Sequence, residues 1–166
     1  MAKDIHDPRT LIGSAIYTDD NRYIGTVEEV GQPDLSLLSV ESGVGVMRDT
    51  PVPIMEALKL TLKVSGPGEA LIKGFSKQVT ESQKYFIRND TTTARHDSID
   101  VTAEGKVKVL KMPIPKAGEK METEIEINLD VYIYMVNGTK HVEVDALNHI
   151  MSIGGVDLLA ETRANL

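Results

Sequence analysis

The sequence predicts a mainly β domain, a sandwich of two antiparallel sheets with one short packed α-helix. Residues 122–136 read E-T-E-I-E-I-N-L-D-V-Y-I-Y-M-V. Ile125, Ile127, Leu129, Val131, Ile133 and Met135 alternate there with Glu124, Glu126, Asn128, Asp130, Tyr132 and Tyr134. Period two marks a strand with one dry face and one wet face, and this run far exceeds the usual ~5–6 residues. Residues 57–65 and 101–112 repeat the pattern. Turn signals separate the apolar runs, the strongest being Asn137-Gly138.

In chain order, residues 1–10, with Asp7-Pro8-Arg9, read as an N-terminal arm. Residues 11–17 are an apolar strand ended by Asp19-Asp20-Asn21, and 22–30 a second, closed by Gly31, Pro33 and Asp34. A third short strand falls on 35–40. Residues 41–56 have no period and carry Gly43, Gly45, Pro51 and Pro53, so they read as a long inter-strand loop. In 57–65, Leu58, Leu60, Leu62 and Val64 face away from Lys59, Thr61 and Lys63. Ser65-Gly66-Pro67-Gly68 stops that strand and starts a helix over 67–76, with Leu71 and Phe75 on one face. A strand over 83–89 and a polar turn over 90–97 follow. In 101–112, Val101, Ala103, Gly105, Val107 and Val109 oppose Thr102, Glu104, Lys106 and Lys108. A loop over 113–120 leads to the long strand, and 141–144 pairs back after the turn. Residues 148–153 are apolar, Gly154-Gly155 breaks them, and 157–163 reads as a terminal helical turn. The whole of 1–166 is one domain, with 154–166 as its C-terminal segment.

Hydrophobic content of 41% and charged content of 26% fit a globular protein. No apolar run reaches the ~20 residues of a membrane helix. Met1-Ala2-Lys3-Asp4 opens no signal peptide, so the expectation is a cytoplasmic chain with no membrane anchor. The absence of Cys excludes disulfides and thiolate sites. A net charge of −7 argues against gripping nucleic acid, and 4% aromatics argue against base-stacking platforms. His6, His96, His141 and His149 lack metal-ligand spacing, the glycine clusters lack a phosphate-loop signature, and no nucleophile elbow is present. We expect no catalytic residues, metal or cofactor, and the carboxylates on 122–136 read as a wet face. A strand this long and half-polar invites edge pairing, which makes sense if another copy completes the sheet.

Residues 143–163 read E-V-D-A-L-N-H-I-M-S-I-G-G-V-D-L-L-A-E-T-R. This resembles the C-terminal signature of the major tail tube proteins of contractile-tailed phages and of phage-tail-like bacteriocins. That pattern runs roughly E-I-D-x-x-N-x-x-x-x-x-N-G-V-D-x-L-x-x-x-R. Asp145, Asn148, Gly155, Val156, Asp157, Leu159 and Arg163 occupy its positions, with Gly154 where the family has Asn. Upstream, Lys116-Ala117-Gly118-Glu119, Gly45-Val46-Met47, Pro51-Val52-Pro53-Ile54 and Gln32-Pro33-Asp34-Leu35 resemble further family segments.

The resemblance implies a structural subunit, not an enzyme. Six copies would form a ring with a continuous inner β-barrel, and rings would stack into a hollow tube through which DNA passes without sequence-specific binding. Implied partners are copies of itself, tail sheath protein, baseplate hub, tape measure and tail terminator. The implied location is the virion tail, assembled in the host bacterial cytoplasm. A tail-like bacteriocin or a contractile secretion system uses a similar tube, and a monomeric β-sandwich binding module stays open as a different class. Candidates to line the channel are Lys59, Thr61, Lys63, Thr102, Glu104, Lys106, Lys108, Glu124, Glu126, Asn128 and Asp130, in which four cations meet four anions. Candidates for ring stacking, on the 41–56 loop, are Val44, Val46, Met47, Val52 and Ile54. Gly155 is expected at a turn closed to other residues, with Asp157 capping the terminal helix.

Overall fold

A computed structural model describes residues 10–19, 23–66, 68–92 and 96–166. The predicted arm, apart from Thr10, lies outside them, as do Pro67 and residues 93–95 of the polar turn. The strands are β1 (Thr10–Thr18), β2 (Tyr23–Gly31), β3 (Leu37–Ser42), β4 (Arg48–Met55), β5 (Lys59–Ser65), β6 (Gln83–Thr92), β7 (His96–Lys111), β8 (Glu122–Val136), β9 (Thr139–Asp145), β10 (Ile150–Ile153) and β11 (Val156–Asp157). The helices are α1 (Glu69–Thr80) and α2 (Ala160–Ala164).

Where a two-sheet sandwich was expected, one nine-stranded sheet runs β11-β10-β9-β8-β5-β2-β1-β6-β7 and closes on itself through β7–β8 pairing. The reason is the length of β7 and β8, which pass through both would-be layers and join them. One side of β8 serves β5 with its first half (Glu122 to Asn128) and β9 with its second half (Val131 to Val136). The Leu129 amide donates to the Leu58 carbonyl, and the Ala146 amide to the Asp130 carbonyl, where the two partners meet.

The core is continuous. Leu60, Leu62, Val64, Ile125, Ile127 and Val107 face Ile16, Tyr85, Ile87, Val101 and Ala103, all buried. Leu71 of α1 is fully buried and Phe75 packs beside it, as their four-residue spacing predicts; α1 lies against β7.

Two bulges overturn parts of the alternation read from sequence. Gly105 pairs with Leu129 and Glu104 with Val131, so Asp130 is an extra residue on β8. A one-residue slip exchanges the faces of everything beyond it. Tyr132, predicted wet, is therefore buried between Ala103 and Val144, and its hydroxyl donates to Gln32 Oε1 at 2.6 Å. Val131, Ile133 and Met135 turn to the face of Glu104, Thr102 and Asp100, half-exposed. A second slip between Val107 and Val109 makes Lys108 the extra residue, sets Val109 opposite Glu126 and lets Leu110 take its place inside, opposite Ile125. The predicted loop 41–56 is mostly a β3–β4 hairpin with Ser42 opposite Arg48. Both its faces are largely exposed, so no alternation exists to read, and the prolines sit on a two-stranded ribbon that tolerates them.

Gly105 has a steric reason: a Cβ there would stand 2.0 Å from the Asn128 carbonyl oxygen. Gly105→Ala should push β7 from β8 at the bulge and cost about 1–3 kcal/mol, the range of overpacked cores. Urea denaturation reads this directly, and an unchanged midpoint would show that the ribbon yields without strain.

Candidate functional site

Hydrogen-bond accounting locates the surface most in need of a partner. The first part of β2 pairs with β1 through Tyr23, Gly25 and Thr26. From Val27 to Gly31 it pairs only with β5. Likewise β7 pairs with β6 as far as Gly105, and from Lys106 to Lys111 only with β8. Among the described residues, β2-β5-β8-β7 is thus a four-stranded antiparallel sheet with an open edge on each side. Open edges leave alternate backbone N–H and C=O groups unspent, a template for another chain.

One face of this sheet is core; the other is polar. Lys59, Thr61 and Lys63 stand on β5, opposite Asn128, Glu126 and Glu124 of β8. Lys106, Val109 and Lys111 of β7 flank the same three residues, with Lys108 at the bulge. One row crosses all four strands as Glu29, Lys63, Glu124, Lys111, with alternating sign. Lys63 donates to Glu29, which with nearby Glu124 and Glu122 raises its pKa. Lys111 Nζ stands 2.6 Å from Glu124 Oε1, and Lys108 Nζ 3.9 Å from Glu126 Oε1.

The structure therefore brings Lys59, Thr61, Lys63, Lys106, Lys108, Glu124, Glu126 and Asn128 onto one face. Thr102 and Glu104 lie further along β7, beyond the Asp130 bulge, where Glu104 pairs with Lys84 at 3.8 Å. Asp130, at the bulge, accepts from the Ser82 hydroxyl at 2.9 Å. Sequence reading missed Glu29 and Lys111. Only the pairing register reveals the first, and the Lys108 bulge moves the second onto the polar face.

The stacking candidates occupy the β3–β4 hairpin. Val44, Val46 and Met47 at its tip are 104%, 83% and 63% exposed, and Ile54 is exposed on β4. Exposed apolar groups clustered this way mark an interaction surface. Val52 is half-buried at the hairpin base, beside a cavity of about 520 Å³ that Ile54, Leu58, Val144, Met151 and Leu159 also line.

The C-terminal motif is a clamp. Asp145 Oδ1 accepts from the Leu147 and Asn148 amides, and its Oδ2 from Asn148 Nδ2. Gly154 and Gly155, both at positive φ, turn β10 into β11 as a tight hairpin requires. Val156 is exposed on β11 and Leu159 packs against the core. Asp157 does not cap α2, whose N-cap is Leu159. Instead its Oδ1 accepts from the Leu159 amide at 3.1 Å, and its Oδ2 from Arg163 Nη2 at 2.7 Å. Arg163 Nη1 donates to the His149 carbonyl. Arg163 above all, then the Leu159 amide, holds the Asp157 carboxyl below its ordinary value. Among the described residues no His, Asp or Glu cluster could hold a metal ion, and no helix is long and apolar enough to cross a membrane.

Residues 8–166 match the family described as phage tail tube protein FII. The tail tube protein of Escherichia phage P2 is 24% identical over 169 residues, covering 96% of this chain and 97% of that protein. Two solved structures share the fold, both from an extracellular contractile injection system called PVC, in the extended state. A chain of its sheath/tube terminator has a TM-score of 0.59 and 16% identity, covering 79% of this chain and 99% of its own. A chain of its sheath–tube complex has a TM-score of 0.56 and 18% identity, covering 79% and 93%.

The clamp yields a pH signature. Asp157 is depressed on folding, so its contribution is fully present above the unfolded value near 3.8 and is lost as pH falls through the lower folded value. Asp157→Ala should lower the Tm at neutral pH, and the gap from the parent should close in acid below that range. Parallel melts across pH check this; a gap independent of pH would assign the loss to packing.

Proposed function

The chain belongs to the phage tail tube protein FII family, and from that premise we propose that six copies close into a ring, that rings stack into the tube of a contractile tail, and that DNA leaves through its lumen. The observation that carries the reading is the four-stranded sheet with two open edges. Across β7, β8, β5 and β2 the direction alternates. Four is an even number, so β7 of one copy meets β2 of the next antiparallel when all copies point the same way. Head-to-tail joining of this kind generates a ring if the rotation closes, and closure removes every edge.

The polar face of that sheet then lines the lumen, with Lys59, Thr61, Lys63, Lys106, Lys108, Glu124, Glu126 and Asn128 on the wall. Cations and anions interleave there, but with Glu29 and Lys111 of the same face five lysines meet three glutamates, so the wall is basic by two charges per copy. Passage depends on those lysines staying paired, as Lys63, Lys108 and Lys111 are, since free cations would bind phosphates with release of their counterions and hold the DNA. Thr102, Glu104 and Asp130 fall toward one rim. The chain's excess acid lies on the outside, where sheath protein would dock, while baseplate hub, tape measure and terminator would meet the tube at its ends or within it. Assembly would take place in the host cytoplasm. The fold shared with the PVC sheath–tube complex favours a second reading, the tube of an injection system without DNA. Electron micrographs separate the two: particles with filled heads support the first, headless tubes the second.

The hairpin tip supplies the apolar surface for stacking. Purified protein should form rings and tubes by negative-stain microscopy. Deleting residues 43–49 should leave the melting transition in place and abolish tubes. A monomer at all concentrations for the parent, or normal tubes from the deletion, would overturn the corresponding part.

The lumen assignment has its own consequence. Glu126→Lys with Asn128→Lys should assemble normally, since both side chains face water, yet retain DNA in a salt-dependent way and slow its exit. Unchanged ejection from complete tails would move these residues off the channel wall.

A further inference from the structure

We infer that Lys59, Asn128 and Lys106 form a phosphate-binding row at one end of the polar face, a place where the wall grips DNA as it passes. This rests on the lumen reading and adds which residues hold the cargo.

The polar face is not uniform along its strands. Glu29, Glu124 and Glu126 stand in two rows, and the lysines beside them are matched: Lys63 with Glu29, Lys111 with Glu124, and Lys108 with Glu126. The next row, beside the Gly105 corner, reads Lys59, Asn128, Lys106 across β5, β8 and β7. It holds two cations and no anion, and all three side chains are exposed. Among the described residues neither lysine forms an ion pair. Asp34 and Glu56 border a crevice beside Lys59 without bonding to it. Glu104, the next acid along β7, is held by Lys84.

The register sets the spacing. Lys59 and Lys106 lie on either side of β8, two strand spacings or about 10 Å apart at the backbone. Asn128 stands between them, and its carboxamide can donate a hydrogen bond. Two ammonium groups around one amide offer donors only to an anion. No buried donor backs them, so the row does not enclose a small anion. A long polyanion needs no enclosure, and nucleic acid carries a charge at every phosphate. One copy would hold it weakly. In the ring every copy brings the same row to one level of the channel, where walls of one sign focus the field on what passes. Weak contacts repeated around and along the channel then add as a multivalent grip.

The test grows tubes from the purified chain with a labelled DNA duplex, treats them with nuclease, pellets them and counts the DNA retained. Parent tubes should retain duplex at about 50 mM salt and lose about tenfold by about 200 mM, the loss expected for two phosphate contacts. Lys59→Gln with Lys106→Gln should retain about tenfold less at low salt, with a flatter salt dependence. Lys108→Gln with Glu126→Gln removes a matched pair from the neighbouring row and should retain DNA like the parent. Equal retention by the parent and the Lys59, Lys106 variant would overturn the row, as would a parent that retains none. Retention of polyglutamate on equal terms with duplex would overturn the assignment to DNA in favour of an acidic protein segment.

If the double variant builds no tubes, Lys59→Gln and Lys106→Gln singly replace it, each expected to lower retention about threefold. Two outcomes bear on the underlying reading instead. DNA held by these lysines but open to nuclease would sink the lumen assignment, and failure of the parent chain to form tubes would sink the ring.

Discussion

The fit of β7 against β8 at Gly105 is the constraint on which the rest depends. The Asn128 carbonyl approaches so closely that no side chain is admitted there, and Asp130 bulges out beside it. That bulge lets one pair of strands serve two sets of neighbours. Below it, β8 buries Ile125 and Ile127 and pairs with β5; above it, β8 buries Tyr132 and pairs with β9. A regular ribbon would keep Val131, Ile133 and Met135 inside and leave the tyrosines wet. The exchange of faces allows the C-terminal strands to cover one end of the core, while β5 and β2 extend the sheet at the other.

From this follow the open edges. β6 accompanies β7 only to Gly105, and β1 accompanies β2 only over its first half. Beyond those points, among the described residues, β1 pairs with β6 alone. The barrel is closed in its topology, yet its hydrogen bonding is complete only where all neighbours overlap. The remaining segments form a four-stranded sheet with its core face satisfied and its edges not, and assembly is the way to satisfy them.

Much of this was legible in the sequence, and what was not has physical causes. Elements with one buried face declared themselves by alternation: β5, the first half of β8 and its hairpin to β9 lie where the pattern put them. Leu71 and Phe75 marked α1 in the same way. The β3–β4 hairpin was invisible because neither of its faces is buried, and pattern arises only from burial. The sandwich became a barrel because sequence shows where strands are and says little about which of them cross from one layer to another. The bulges left faint traces, a glycine inside β7 and two tyrosines in a supposedly wet register. The C-terminal motif was recognised as a pattern, but the role of Asp157 came from Arg163, which reaches back to it from α2. On the candidate surface, the residues of β5 and β8 could be read, whereas Glu29 and Lys111 needed register.

The same charges have to serve two states. Before assembly, an open sheet edge is a hazard, and proteins blunt such edges with lysines, bulges and short strands. Here the β7 edge carries Lys106, Lys108 and Lys111 with a bulge at Lys108, and the β2 edge carries Glu28 and Glu29 with a bulge between Val27 and Glu29. A free subunit thus repels its own kind edge against like edge, and screening by salt weakens that repulsion only in part at contact distance. In the proposed ring the Glu29–Lys63–Glu124–Lys111 row would face the channel, where its two lysines and two glutamates cancel while Lys59, Lys106 and Lys108 outnumber Glu126 beside it. A purely apolar edge would join more tightly but indiscriminately, and a purely basic one would stay soluble but grip phosphate. Opposite signs on opposite edges serve solubility of the free subunit and, in the proposed head-to-tail ring, would let unlike edges meet antiparallel because the sheet has an even number of strands.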